Sequence, residues 1–207
     1  DIVGVQLRNT ATVGGSIYGR FGFSDVLSAF LALDSYVELT GAGRVPLAEF
    51  VDMGYVRDLI EHVVVVKHDY HASYEAVRKA ATDFPSLNVT AAWWDNSWHV
   101  TVGARPLRAT LLQGEACGLV NERPSEEELR ALAASVRALS YGTNLWGSAE
   151  YRRCISAPLA MRAVRRAAGI ELSAALAREL EGVQIPKFAT DEYSCRRVPG
   201  VDSSEVR

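Results

Sequence analysis

The sequence predicts an α+β fold: a mixed α/β unit, then an antiparallel three-stranded sheet with a helical C-terminal layer. Three observations point to it. A Gly-containing turn, an amphipathic helix and a β-branched run share the first 66 residues. Two β-rich runs flank Asp95-Asn96-Ser97, a hairpin signature. From Pro124 onward the apolar residues recur at helical spacing. A chain of 207 residues can hold one large domain or two small ones. The expected division is 1–66, 70–182 and an extended tail over 183–207.

The elements follow in order. Ile2-Val3-Gly4-Val5 predicts a strand over 1–7, leading into a Gly loop over 10–16. Ser24 is a good N-cap for a helix that carries Val26, Phe30 and Leu33 on one face. Tyr36-Val37-Glu38-Leu39 alternates as a strand, and a Gly41-Ala42-Gly43 turn leads to a short helix over 46–51. The clearest strand covers 59–66. Residues 74–79 predict another, with Tyr74, Ala76 and Arg78 on one side. Strands over 88–94 and 98–103 form the hairpin, and 108–112 can add an edge strand behind Pro106. Ser125 and Glu128 make a capping box for a helix with Leu129, Leu132, Val136 and Leu139 on its apolar face. A second helix is expected over 148–168 and a short third over 171–180.

Composition narrows the function classes. Hydrophobic residues are 48% and charged residues 23%, which excludes a disordered chain, a collagen-like fibre and a disulfide scaffold. With 22 basic and 25 acidic residues the net charge is -3, so there is no electrostatic footprint for nucleic acid or an anionic membrane. No apolar run is long enough to span a bilayer. Cys117, Cys154 and Cys195 are scattered and read as free thiols, which predicts a cytoplasmic protein.

Most polar clusters read as structural. His68-Asp69-x-His71 lacks a third ligand at a useful spacing, so no metal site is expected. His62 and His99 sit in strand-like runs and read as hydrogen-bonded structural residues. Trp93 and Trp94 must face opposite sides of a strand, so one of them needs cover from a helix or a partner. Arg152, Arg153, Arg162, Arg165 and Arg166 read as a solvated surface or a site for an acidic partner. No nucleophile with a placed base is present, so no catalytic residue is assigned, which suits chemistry owned by a cofactor.

The densest candidate is Thr12-Val13-Gly14-Gly15-Ser16, followed by Ser24-Asp25. Paired glycines let a ligand approach the backbone, and their N–H groups can cradle a phosphate. Thr12 and Ser16 add hydroxyls, and Asp25 can accept from sugar or polyol hydroxyls. The glycine spacing is neither a P-loop nor the Rossmann fingerprint. An ordinary tight turn before a helix is the alternative.

The order Arg8-Asn9-x-Ala11-Thr12-Val13-Gly14-Gly15-Ser16, Ser24-Asp25, Ala32-Leu33-Asp34 and Val37-Glu38-Leu39 resembles the FAD-binding (medium) subunit of the molybdenum hydroxylases. That family includes xanthine dehydrogenases and carbon monoxide dehydrogenases. The resemblance continues through Arg44-Val45-Pro46-Leu47-x-Glu49-Phe50, Asp58-Leu59-Ile60 and Tyr74-x-x-Val77-Arg78-Lys79. Gly103-Ala104-Arg105-Pro106 and Ser148-Ala149-Glu150-Tyr151-Arg152 extend it, so it covers about residues 5–168.

What the resemblance implies is a flavoprotein oxidoreductase component. The first 66 residues would be the second half of a FAD-binding domain, and 70–182 the C-terminal flavoprotein domain. Thr12, Val13, Gly14, Gly15 and Ser16 would contact the FAD diphosphate, and Asp25 the cofactor hydroxyls. Ile60 would form an apolar wall near the isoalloxazine. Arg78, where the family usually has Lys, would lie near the polar edge of the flavin. FAD would pass electrons from iron–sulfur clusters, fed by a molybdopterin subunit, to an acceptor such as NAD. The partners are iron–sulfur and molybdopterin subunits, with a homodimer as a further arrangement. Two departures stand out. Ser16 replaces the usual Asn, and the stretch before Ser24-Asp25 lacks Pro but holds Arg20, which implies a looser loop or an arginine on a phosphate. The family also has an N-terminal subdomain with another Gly-rich loop, so the strand over 1–7 is expected to be an open edge, and the isolated chain to bind FAD weakly or not at all. The rival reading is a relative that binds no FAD and acts as a subunit-docking module.

Overall fold

The computed structural model describes residues 2–55 and 57–170. The expected helix over 171–180, the tail over 183–207 and Cys195 lie outside the described residues. Among the described residues seven strands form two antiparallel sheets, joined and covered by helices, an α+β arrangement.

The smaller sheet has the order β2-β1-β3, with β1 Ser35–Leu39, β2 Gly43–Pro46 and β3 Ile60–Val65. Val37 of β1 pairs with Val45 on one side and Val63 on the other. The two-residue side-chain period puts Val37 and Leu39 into one core. They meet Leu27 and Leu31 of α3 (Asp25–Leu31) and Leu47, Phe50 and Val51 of α4 (Leu47–Asp52) in that core. Gly43, at φ 72°, makes the left-handed turn that starts β2. Sequence reading passed from this turn directly to the helix and missed β2.

The larger sheet is a meander, β4 His71–Arg78, β5 Pro85–Trp94, β6 Ser97–Gly103 and β7 Thr110–Gln113. It therefore has four strands, the edge strand at β7 completing the expected three. Asp95 and Asn96 take φ 48° and 54°, the left-handed pair a tight hairpin needs between Trp94 and Ser97. On one face, Leu87, Val89, Trp98 and Val100 pack against α5 (Glu126–Ala138) and α6 (Ala149–Ala167). Asn88 on the other face bonds Ser28 of α3 at 2.9 Å. β5 is buried along both faces for most of its length, as a strand between two layers must be.

The two tryptophans divide as the strand period requires. Trp93 packs on Trp98 under the helices, centroids 5.6 Å apart. Trp94 turns to the opposite face, where it stacks on His99 at 4.1 Å and on His68 at 5.2 Å, and its indole N–H donates to the Ala32 carbonyl at 3.0 Å. Its cover therefore comes from this chain.

Three sequence expectations are corrected. The expected strand over 1–7 is absent from its described residues, 2–7: the short helix α1 occupies Val5–Arg8, with the Arg8 guanidinium donating to the Ile2 and Val3 carbonyls at 2.8 and 2.9 Å. The Gly loop is itself helical, because Thr12 caps it (below). The arginine run is not a solvated face throughout. Arg152 is fully buried, its Nε on the Ser86 and Ala104 carbonyls at 2.7 and 3.0 Å and Nη1 on those of Gly142 and Gly147. One planar fork thus satisfies carbonyls from β5 and two loops, which a helical-face count cannot reveal. Arg165 is also buried and grips both Glu126 carboxylate oxygens at 2.8 Å, while Arg162 and Arg166 bind Glu75 of β4. Among the described residues no helix is long and apolar enough to cross a membrane, and Cys117 and Cys154 are free thiols.

The capping box at α5 forms as expected, Ser125 Oγ accepting from Glu128 N–H and Glu128 accepting from Ser125 N–H at 2.8 Å. Glu128 also accepts from the Val120 and Asn121 N–H groups. Burial opposes its charge, but these N–H groups together hold its carboxyl down at about 2. A depressed carboxyl stabilises above its unfolded pKa, and that contribution fades as pH falls from about 4.5 to about 2. Urea titrations across that window should show Glu128→Gln less stable near neutrality and closer to wild type near pH 2. A constant difference between the two proteins at all pH values would show that the charge has no part in it.

Candidate functional site

Thr12 is extended at φ -114° and ψ 152°, and its Oγ1 accepts from the Gly15 N–H at 3.0 Å. That cap starts α2, Val13–Tyr18, so Gly14 and Gly15 lie in a first helical turn. Ser16 Oγ donates back to the Thr12 carbonyl at 2.9 Å. The two glycines differ in what surrounds them. A Cβ at Gly15 would press on Thr12 Oγ1 at 2.9 Å, whereas a Cβ at Gly14 would meet nothing within 4 Å. No contact among the described residues therefore requires glycine at position 14, and it leaves the helix end open to something outside the chain.

This end opens on a cavity of about 510 Å³. Thr12, Val13, Gly15, Ser16 and Asp25 all line it, so the structure brings together the two segments that were only neighbours in sequence order. Its remaining walls are largely apolar: Ile2, Val3 and Leu7 from the start of the chain, Val26 of α3, and the rings of Phe21, Phe23 and Phe84. These rings were missed by sequence reasoning. Phe21 and Phe23 alternate around Gly22, a pattern that points both rings the same way in extended chain, and that was the available signal. Ile60 is not among the lining residues and packs instead against the core of the small sheet.

Asp25 is the acidic residue of the wall, Arg8 the basic one, and Asp25 is 5% exposed. One oxygen accepts from the Tyr74 hydroxyl and from Asn88 Nδ2 at 3.2 Å. The other accepts from Arg78 Nη2 at 2.8 Å. Arg78 also reaches the Tyr74 oxygen at 3.0 Å and the Asp83 carbonyl at 3.0 Å. Tyr74 and Arg78 share a strand face, four residues apart, which is why both meet the same carboxylate. Burial, then the adjacent Asp25 carboxylate, pushes the Tyr74 phenol far above its ordinary value, so it stays a proton donor. Arg78 lies behind Asp25 rather than on the cavity wall. Sequence reasoning had both residues but gave them separate tasks. A pairing across 53 positions leaves no local trace.

The remaining candidates resolve differently. Arg20 does not extend into the cavity at α2. Its Nη1 caps the end of α4 on the Met53, Gly54 and Phe50 carbonyls at 2.6, 3.0 and 3.3 Å. His68 bonds Asp34 at 2.7 Å, while His71 faces Glu122 at 3.5 Å. Among the described residues, no group of three or more His, Cys, Asp or Glu is placed to hold a metal ion.

Known proteins are similar to this chain in sequence or fold. Residues 1–67 match the family described as the FAD binding domain in molybdopterin dehydrogenase. No curated protein matches the chain. Among solved structures, one similar fold is the carbon monoxide dehydrogenase of Hydrogenophaga pseudoflava in a form lacking the Mo-pyranopterin moiety of its molybdenum cofactor. There the TM-score is 0.71 at 18% identity, over 82% of this chain and 64% of that one. Reconstituted CO dehydrogenase from Oligotropha carboxidovorans gives 0.69 at 18% identity, over 82% and 65%. Quinoline 2-oxidoreductase from Pseudomonas putida 86 gives 0.69 at 17%, over 82% and 65%. This chain thus spans just under two thirds of the length of those chains. In its first 67 residues the chain is thus similar to the FAD binding domain in molybdopterin dehydrogenase, and its fold is similar to that of chains in carbon monoxide dehydrogenase and quinoline 2-oxidoreductase.

Proposed function

We propose that this chain is the FAD-binding, electron-transfer component of a molybdopterin-dependent oxidoreductase of the cytoplasm. In this reading its partner subunits carry iron–sulfur clusters and molybdopterin, and electrons leave to an acceptor such as NAD. The observation that carries the proposal is the capped first turn of α2, where Gly14 faces open space beside the cavity. Val13, Gly14 and Gly15 would present backbone to the FAD diphosphate, the Thr12 hydroxyl would donate to its oxygens, and the Ser16 hydroxyl would do so on turning away from the Thr12 carbonyl. Ile60 would support the apolar side of the site from beneath. FAD, when bound, supplies reversible redox chemistry that no side chain here provides.

The chain's own task is to bind, orient and set the field. One Asp25 oxygen is filled by Tyr74 and Asn88, while the other accepts from Arg78 and keeps a lone pair for a ligand hydroxyl. Arg78 would hold that carboxylate in place, and its charge would reach the cavity as half of an ion pair, weaker than a lone guanidinium. Tyr74 and Asn88 fix the orientation of the pair.

Two experiments test these assignments. Gly14→Asp puts a carboxylate where the diphosphate would lie, and FAD bound by the protein in the presence of excess added FAD, read from its visible absorption, should fall at least tenfold. Unchanged flavin content would sink the proposal, and a colourless wild-type protein would favour the docking-module reading. Arg78→Met strands a buried carboxylate, and removing one partner of such a pair costs about 3–5 kcal/mol. Urea denaturation should show that loss, with much of it recovered in the Asp25→Asn/Arg78→Met double variant. A single-variant loss below about 1 kcal/mol would mean that the pair is solvated and not a structural anchor.

A further inference from the structure

A second cavity, of about 350 Å³, adjoins the first and shares Phe21, Phe23 and Phe84 with it. Its aromatic wall is a continuous ladder. Phe21 and Phe23 stack at 5.2 Å with 12° between planes, Phe23 meets Phe84 edge-on at 4.8 Å, and Phe84 meets Trp146 edge-on at 6.1 Å. Phe21 and Phe23 are 56% and 42% exposed, so two large rings are held against solvent at the rim.

The other wall is cationic. Arg20 and Arg108 line it, and no Asp or Glu does. Each guanidinium is anchored through Nη1 to the end of α4, Arg20 as described and Arg108 on the Val51 carbonyl at 2.7 Å, with exposed Asp52 4.0 Å away. Their Nη2 groups have no hydrogen-bond partner among the described residues. The walls are preformed. Trp146 donates its indole N–H to Asp83 at 2.9 Å, its carbonyl accepts from Ser86 Oγ at 2.7 Å, and buried Arg152 ties down the loop that carries it. Arg20 and Ala104 hold left-handed backbone, φ 49° and 56°, strain that surrounding contacts must sustain. At Gly22 a Cβ would lie 1.8 Å from the Leu107 carbonyl oxygen, so the two backbones meet with no room for a side chain.

Anchored guanidiniums with free donors recognise an anionic oxygen group, and an exposed aromatic ladder takes a planar ring. The volume lies in the small-molecule range. We propose that this second cavity binds a planar aromatic anion of mononucleotide size, the ring on the Phe21–Phe23–Phe84–Trp146 wall and the anion between Arg20 and Arg108. It is a site distinct from the cavity at α2 and does not depend on what that cavity holds.

The test uses the 207-residue chain, with AMP as the probe and the Trp146 indole N–H resonance of ¹⁵N-labelled protein as the reporter, assigned through Trp146→Phe. AMP should shift that resonance saturably. Adenosine, which keeps the ring and lacks the anion, should bind at least tenfold more weakly, and Arg108→Gln should weaken AMP by a similar factor. If Arg108→Gln does not fold, the AMP–adenosine comparison on wild-type protein decides. No saturable shift, equal affinity for adenosine, or displacement of AMP by FAD would overturn the proposal. Gly14→Asp should leave the AMP titration unchanged, so loss of flavin and loss of AMP binding are separately readable.

Discussion

Asp25 is a buried carboxylate at the first turn of a helix, and the relation between the two sheets depends on how its charge is met. The helix end offers a favourable dipole, but only Arg78 supplies a full countercharge. Asp25 begins α3, which packs on the small sheet, and Arg78 ends β4 of the large one. The contact is thus a bolt between the two, and Asn88 and Ser28 extend it sideways into β5 and α3. A buried pair contributes little net free energy against an apolar substitute, yet breaking it is costly. It therefore acts as a specificity device, holding one relative placement of α3 and β4 rather than adding to stability. The cavity at α2 inherits that placement, because Asp25 is part of its wall.

The far end of the same interface is closed by stacking. Trp94 lies between His68 and His99, with Tyr70 edge-on at 6.2 Å, and His68 bonds Asp34 beyond α3. Burial pushes the His99 imidazole down, which keeps it neutral and compatible with a ring stack. One end of the interface is ionic and the other aromatic. That combination leaves the middle free for the small side chains of Ala92 and Ser28.

Much of this was legible in the sequence, and the gaps have physical causes. The hairpin at Asp95-Asn96, the capping box at Ser125 and the cap at Ser24 are local chemistry, and each is found where residue type and spacing put it. The short strand β2 was missed because four residues beside a glycine turn carry no period of their own. α2 was read as a loop because two glycines lower helix propensity by about 1 kcal/mol each, yet the Thr12 cap and the packing of Ile17 outweigh it. The apolar stretch Ile2-Val3-Gly4-Val5 suggested a strand, but among the described residues it has no neighbouring strand to pair with. Burial of Arg152 and Arg165 was invisible for another reason. The carbonyls and the carboxylate that satisfy them come from remote segments, and helical periodicity reports only which residues share a face. Within the candidate site, residue types were readable, but the partnership of Asp25 and Arg78 was not.

Gly22 shows how narrow the margin for sequence change is at one point. Its backbone meets Leu107 so closely that a single methyl group would act as a wedge. An alanine there would add little volume and no charge, yet it would drive the segment bearing Phe21 and Phe23 away from the one bearing Arg108. Both cavities would change shape at once, because those rings are their common partition. One hydrogen atom in place of a side chain thus keeps the two compartments apart, and it gives variation a small lever for merging them.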